Sequence, residues 1–119
     1  MEFSKLLEER RSIRKFDPEK KVTADQIKEI INAAIQAPSW KNSQTTRYYA
    51  VVTPEKIEAF SAACLPEFNQ KSAAGAALVV TTFVKDRSGF DQEGNPNNEV
   101  GNGWGYYDLG LQNENFVLK

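Results

Sequence analysis

The chain has 119 residues, 40% of them hydrophobic and 26% charged, which is the balance of a single globular domain. Its 15 basic and 16 acidic side chains leave a net charge of −1, without the broad basic excess of a dedicated nucleic-acid-binding domain. Histidine is absent and cysteine occurs once, which argues against zinc sites, histidine catalysis and an intrachain disulfide. The sequence has neither an apolar run that could span a bilayer nor a signal-peptide core, so we expect a soluble, cytoplasmic protein.

The first predicted element is a short helix over about Glu2 to Arg10. Phe3, Leu6 and Leu7 lie at positions i, i+3 and i+4, which is the spacing of one apolar helix face. The polar segment that follows contains Pro18 and predicts a loop.

Four cations lie within the six residues 10–15, directly after this helix. In an extended segment, Arg10, Ser12 and Arg14 would point to one side, and their guanidinium and hydroxyl groups are suitable donors to phosphate oxygens. The alternative is a cationic helix C-terminus that balances the helix dipole and faces solvent. Charge density alone does not separate the two interpretations.

The second predicted helix begins at Thr23, with Gln26 three residues further on in the spacing of a capping box. Its apolar residues repeat with helical spacing and predict a buried stripe, which Pro38 ends. The stripe comprises Ile27, Ile30, Ile31, Ala34 and Ile35.

A polar loop over residues 39–46 follows this helix, and its polar side chains include Ser39, Asn42, Ser43 and Gln44. Amide side chains offer both a donor and an acceptor, which suits the edge of a heteroaromatic ring. The alternative is ordinary turn chemistry, in which Ser and Asn side chains bond the local backbone. Trp40 is either a stacking surface or an anchor to the core.

Two strands are predicted in the rest of the chain, at Arg47–Val52 and Ala76–Val84. The second is apolar enough to be covered on both faces. Because two strands do not make an independently stable sheet, we expect residues 1–119 to be the N-terminal portion of one domain. Its sheet would be completed by further segments or by another chain.

Three further helices are predicted. One begins at Pro54 with Thr53 as its N-cap, and a short one follows Pro66. The last begins near Trp104, and its expected apolar face continues through Tyr107, Leu111 and Leu118. About fifteen residues rich in Gly, Asn and Pro precede it, and loops of this length are often functional or disordered.

In combination, several segments resemble the FMN-dependent nitroreductase family. They are RRSIRKF, AAIQAPSWKNSQ, YYAVV, EFNQKSAAGAALVVTTFV and DLGLQNENFVLK, in this order, and together they cover essentially the whole chain. Family members commonly continue the second motif as Gln-Pro-Trp, where this chain has Gln44-Thr45-Thr46. The resemblance implies an α+β fold, a three-layer α-β-α sandwich with a central mixed sheet, completed here by missing or partner segments.

The resemblance also implies that the anion bound by the cation cluster is the FMN phosphate. The residues that would contact the phosphate and ribityl chain are Arg10, Ser12 and Arg14, with Arg11 beside them. Those that would lie along the flavin and its ribityl hydroxyls are Ser39, Asn42 and Gln44. Asn69 would reach the isoalloxazine edge, and Trp40 and Lys41 would border the substrate opening.

The activity that the resemblance implies is transfer of hydride from NAD(P)H, through flavin N5, to nitroaromatic, quinone or similar acceptors. The cofactor supplies this chemistry, so no histidine is required and no catalytic side chain is assigned. The resemblance further implies a homodimer, and we expect no metal, membrane or nucleic acid as a partner.

Two other functions stay open at this point. One is a non-catalytic flavin-binding or interaction module, which the sequence of a longer parent chain would distinguish from an enzyme. The other is a small nucleic-acid-binding protein that uses residues 10–15 and binds DNA or RNA in a salt-sensitive way. The second alternative leaves the polar loop at residues 39–44 without a function.

Overall fold

The computed structural model describes residues 2–119 and places five α-helices, two β-strands and a short 3-10 helix in them. The helices are α1 (Phe3–Glu9), α2 (Ala24–Ala34), α3 (Pro54–Cys64), α4 (Glu67–Ser72) and α5 (Gly103–Leu118). The strands are β1 (Thr46–Val51) and β2 (Leu78–Phe83), and the 3-10 helix is Trp40–Asn42. The predicted α+β class is confirmed. No helix within residues 2–119 is long and apolar enough to cross a membrane.

Two compact units divide the chain. Residues up to Lys28, together with Ala50–Val79, form the first unit. Glu29–Tyr49 and Val80–Lys119 form the second. The division passes through α2 and through both strands, so each of these elements contributes residues to both units.

The two strands are hydrogen-bonded neighbours in one sheet. Val84 N–H, after β2, donates to the Thr45 carbonyl, before β1, at 2.9 Å, so β1 begins beside the end of β2. All six residues of β2 are half-buried, so both faces of the strand are partly covered rather than fully buried. Among the described residues, only β1 pairs with β2. The further strands of a mixed sheet stay a prediction.

The start of α2 is the capping box that the sequence predicts. The Thr23 hydroxyl accepts the Gln26 N–H at 3.2 Å, and the Gln26 side-chain oxygen accepts the Thr23 N–H at 2.9 Å. Two otherwise free N–H groups at the helix terminus are satisfied in this way. The next residue, Ile27, is 6% exposed and begins the buried stripe.

The end of α2 differs from the prediction. Ala34 is fully buried, but Ile35 lies one residue beyond the helix and is 52% exposed. The N–H groups of Gln36 and Ala37 bond to carbonyls three residues earlier, at 3.2 and 3.1 Å. These 3-10-type bonds tighten the final turn and rotate the chain out of the helical register of the stripe.

The inward face of α5, in the second unit, is polar. Its buried residues are Gly105, Asp108 and Gln112, at positions i, i+3 and i+7. The predicted apolar face is wrong at Tyr107, which is 60% exposed. Hydrophobic periodicity cannot reveal an inward face built from glycine, a carboxyl group and an amide.

The long segment between β2 and α5 is tied together by its own side chains. Asp86 and Asn102 exchange two hydrogen bonds, at 2.8 and 2.7 Å. Phe90 and Pro96 form an isolated β-bridge. The Trp104 indole N–H donates to the Asn98 side-chain oxygen at 3.1 Å, which joins this segment to the first turn of α5.

The capping box gives the first testable prediction. Thr23→Ala should lower the free energy of unfolding by about 1 kcal/mol, because a terminal N–H loses its acceptor. Thr53 holds the equivalent position before α3 but makes no side-chain capping bond, so Thr53→Ala is a matched control. It should change the unfolding free energy by no more than about 0.3 kcal/mol. Urea denaturation followed by circular dichroism measures both, and equal losses would contradict the prediction.

A second prediction compares two glycines of α5. A Cβ on Gly105 would overlap the Phe83 ring, whereas a Cβ on Gly110 meets no atom within 4 Å. Gly105→Ala should therefore destabilise the fold by about 1–3 kcal/mol, since the ring must shift. Gly110→Ala should stabilise it by up to about 1 kcal/mol through helix propensity. Thermal or urea unfolding tests the pair, and a stabilising Gly105→Ala would contradict the packing described.

Candidate functional site

The cation cluster of the first unit follows α1 in a segment without regular secondary structure. Arg10, which ends the helix, has φ −56° and ψ 130°. Arg11 Nη1 donates to the carbonyls of Glu8 and Arg10 at 2.6 and 2.7 Å. Arg11 therefore interacts with the C-terminal end of α1, as in the helix-terminus interpretation of the cluster. Arg14 Nη1 makes a longer bond to the Ser12 carbonyl, at 3.4 Å.

A cavity of about 330 Å³ in the first unit is lined by two of the predicted site residues, Arg14 and Asn69. Its other walls are mainly apolar, with Ile13, Phe16 and Phe68 among them. Arg10, Arg11 and Ser12 do not line it. A larger cavity in the same unit, of about 490 Å³, contains none of the predicted site residues. The smaller cavity combines a guanidinium group, an amide and an apolar wall.

The polar loop of the second unit folds as a tight turn. The Ser39 hydroxyl accepts the Gln44 N–H at 3.0 Å, which closes the loop. The Gln44 amide nitrogen donates to the Asn42 side-chain oxygen at 3.1 Å. Part of the polar cluster is thus used in turn chemistry, as the alternative interpretation expects, while the side chains of Asn42 and Gln44 remain exposed together.

The backbone of this loop is held in an unfavourable conformation. Lys41, Asn42 and Gln44 all have positive φ, at 44°, 54° and 50°. For Lys41 and Gln44 this left-handed region costs roughly 1 kcal/mol or more, whereas asparagine adopts it more readily. Such conformations of lysine and glutamine persist only where neighbouring contacts impose them.

Aromatic side chains surround the start of the loop. The Trp40 and Trp104 ring centroids are 4.3 Å apart, and the Lys41 ammonium lies 5.9 Å from the Trp40 ring. A cavity of about 230 Å³ is lined by Ser39 and by these two indoles, together with Tyr107 and Asp108. Among the described residues, the buried Trp40 indole N–H has no hydrogen-bond partner.

A buried carboxyl group lies beneath the loop. Asp108 is 2% exposed, and both of its oxygens accept the Trp40 backbone N–H, at 3.0 and 3.1 Å. The Ser88 hydroxyl donates to Asp108 Oδ2 at 2.5 Å and also lies 2.5 Å from the Ser43 hydroxyl. This network connects α5, the segment after β2 and the polar loop.

No motif identified in the sequence assigns a role to Asp108 or Ser88. A signal for Asp108 was present, because it lies four residues after Trp104 and three before Leu111, on the expected apolar face of a helix. An acidic residue at such a position is rarely left without partners. No comparable signal marks Ser88, which lies in an irregular segment.

A family model described as the Nitroreductase family matches residues 7–113. The chain belongs to the nitroreductase family. The resemblance stated from its motifs is therefore confirmed, and the match includes all of the predicted site residues, from Arg10 to Asn69.

One relative of this nitroreductase-family chain is YdgI of Bacillus subtilis (strain 168), which is named as an NAD(P)H nitroreductase. The two are 34% identical over 83 residues, which is 70% of this chain and 39% of YdgI. The chain thus spans well under half the length of this relative.

Two solved structures have the same fold as this nitroreductase-family chain. A nitroreductase family protein from Clostridium novyi NT matches 99% of the chain and 63% of its own length, with a TM-score of 0.74 and 23% identity. A nitroreductase from Exiguobacterium sibiricum 255-15 was solved in complex with FMN. It matches 99% of the chain over 69% of its own length, with a TM-score of 0.73 and 20% identity. The predicted nitroreductase-like fold is confirmed.

The strained loop gives a third prediction. Lys41→Gly should raise the free energy of unfolding by about 0.5–1 kcal/mol, because relief of the left-handed strain exceeds the added freedom of the unfolded chain. Lys28→Gly, on the exposed face of α2, should lower it by about 1 kcal/mol. Urea unfolding of both variants distinguishes them, and a destabilising Lys41→Gly would show that the lysine side chain matters more than its backbone angle.

Proposed function

We propose that this nitroreductase-family chain binds FMN and acts in an oxidoreductase that passes hydride from NAD(P)H to nitroaromatic, quinone or similar acceptors. Family membership supports the proposal, as do the naming of YdgI as an NAD(P)H nitroreductase and the FMN complex of the Exiguobacterium sibiricum protein. Because the chain spans 39% of YdgI, the activity of the whole protein belongs to the proposal.

The observation that carries the proposal is the common cavity of Arg14 and Asn69. These residues come from different motifs, 55 positions apart in the sequence (69 − 14), yet both line the same cavity of the first unit. FMN joins a phosphate to a planar, largely apolar ring system with a polar edge. A guanidinium group, an amide and apolar walls fit these chemical groups.

The loop of the second unit also fits the chemistry of a flavin. The Asn42 and Gln44 amides are exposed, and each offers a donor and an acceptor of the kind that the polar ring edge and ribityl hydroxyls require. We propose that they contact the flavin together with Ser39, and that Trp40 and Lys41 border the substrate opening. Their contact with a ligand stays a prediction.

Bound FMN would supply the hydride chemistry, and the side chains of this chain would bind and orient it. The phosphate would be held by Arg10, Ser12 and Arg14. Arg11 would lie beside them, through the guanidinium nitrogens that do not bond to carbonyls at the end of α1. Apolar walls such as Phe68 would exclude water from the ring. No side chain is assigned a proton-transfer role.

A non-catalytic flavin module is the main alternative, and anaerobic mixing with NADH or NADPH separates it from an enzyme. Bleaching of the bound flavin absorbance supports the enzyme, whereas bound flavin that stays oxidised supports the module. The nucleic-acid alternative requires salt-sensitive DNA or RNA binding.

Homodimer formation and a cytoplasmic location stay predictions. Homodimer formation is supported by the exposure of Tyr106 and Val117 on α5, which are 68% and 54% exposed.

The fourth prediction tests the phosphate contact. Arg14→Ala should raise the Kd for FMN by about tenfold or more, because a charge-assisted hydrogen bond is lost. The Kd for riboflavin, which has no phosphate, should change by less than about threefold. Lys20→Ala is the matched control, since it removes a cation whose side chain is 86% exposed. Flavin fluorescence titration measures all of these constants.

Two results would contradict this assignment. If Arg14→Ala weakened FMN and riboflavin equally, Arg14 would contact the ring or support the fold rather than bind phosphate. If the wild-type protein bound neither flavin, the proposed function itself would fail.

A further inference from the structure

We propose that Asp108 is a positioning residue for the flavin-binding loop, and that its carboxyl group imposes the conformation of residues 39–44. This inference rests on the proposed function, because it gives Asp108 its role through the residues that would contact FMN. Asp108 itself is assigned no contact with the cofactor.

The first anchor is the backbone of Trp40. Its N–H lies 3.0 and 3.1 Å from the two Asp108 carboxyl oxygens and is the first N–H of the 3-10 helix. Such N–H groups have no acceptor within their own helix, so an external acceptor decides where the turn begins. Asp108 is 2% exposed, and water cannot easily replace its oxygens.

The second anchor lies on the other side of the turn. The Ser88 hydroxyl donates to Asp108 Oδ2 and lies 2.5 Å from the hydroxyl of Ser43. Ser43 directly follows the 3-10 helix. The Asp108 carboxyl group therefore holds Trp40, at the start of the turn, by a direct bond. It holds Ser43, just after the turn, through Ser88.

The two anchors lie on either side of Lys41 and Asn42, both of which have positive φ. A left-handed conformation of non-glycine residues relaxes unless surrounding contacts impose it. Without the anchors, the loop would leave this conformation, and the amides of Asn42 and Gln44 would no longer be presented together. Asp108 would thus control flavin affinity from beneath the loop.

The chemistry of the contacts calls for an acid at this position. The carboxyl group receives donors at both oxygens, from Trp40 N–H and from the Ser88 hydroxyl. In Asp108→Asn, whichever oxygen becomes an NH₂ group, the Trp40 N–H loses one of its two acceptors and faces a donor in its place. The variant keeps the size of the side chain while weakening the Trp40 anchor.

The test compares three variants of the full chain. Asp108→Asn weakens the Trp40 anchor, and Ser88→Ala removes the connection from Asp108 to Ser43 together with the longer contact to Thr45. Gln112→Ala is a control at a residue of α5 that is equally inward-facing and 5% exposed. Two quantities are measured for each: the hydrogen-exchange rate of the Trp40 amide and the Kd for FMN.

Asp108→Asn should speed Trp40 amide exchange by about tenfold or more and raise the FMN Kd by a similar factor, since the Trp40 N–H loses one of its two acceptors and faces a donor in its place. Ser88→Ala should raise the FMN Kd by a smaller factor, about threefold. Gln112→Ala should leave both quantities within about twofold of wild type once any change in global stability is subtracted.

A folded Asp108→Asn protein with wild-type Trp40 exchange and wild-type FMN affinity would overturn the proposal. If Asp108→Asn does not fold, Ser88→Ala decides, and an unchanged FMN Kd for that variant would overturn it. If the wild-type protein binds no FMN while Asp108→Asn still speeds Trp40 exchange, the proposed function fails and the structural anchor stands. The two failures are therefore distinguishable.

Discussion

The bond from the Trp40 backbone N–H to the buried Asp108 carboxyl group is the constraint on which the second unit's polar loop depends. It places an acceptor from α5 at the first N–H of a 3-10 helix, for which the 3-10 helix itself has no acceptor. The residues after it have left-handed backbone angles that glycine would adopt with less strain. A buried polar contact thus sets the loop's shape, and the side chains that would meet a ligand follow from that shape.

The sequence predicted the elements whose signals are local. Thr23 and Gln26 determine the start of α2 by bonding each other, and four residues of sequence contain the whole interaction. The inward face of α5 could not be predicted in the same way, because Gly105 is buried to admit the Phe83 ring and Asp108 is buried to accept distant donors. Both reasons lie in residues far away in the sequence.

The candidate site shows the same division. Combined motifs predicted Arg14 and Asn69, which line one cavity, but the motifs could not show that Arg11 bonds to carbonyls at the end of α1. The departure from the family's Gln-Pro-Trp pattern also has a structural setting, since Thr45 is 2% exposed and its hydroxyl lies 3.4 Å from that of Ser88. A proline at position 45 would have no hydroxyl, whereas Thr45 joins the polar network around Asp108.

A chain without histidine can still serve redox chemistry, because a flavin would bring the reacting atoms and the protein would need only to bind, orient and shield it. An enzyme and a flavin-binding module both need the same phosphate and ring contacts. What distinguishes them is whether a reductant and then an acceptor can reach the flavin. The proposed rim residues, Trp40 and Lys41, would control this access, whereas Arg14 and the amide side chains of the polar loop would set cofactor affinity.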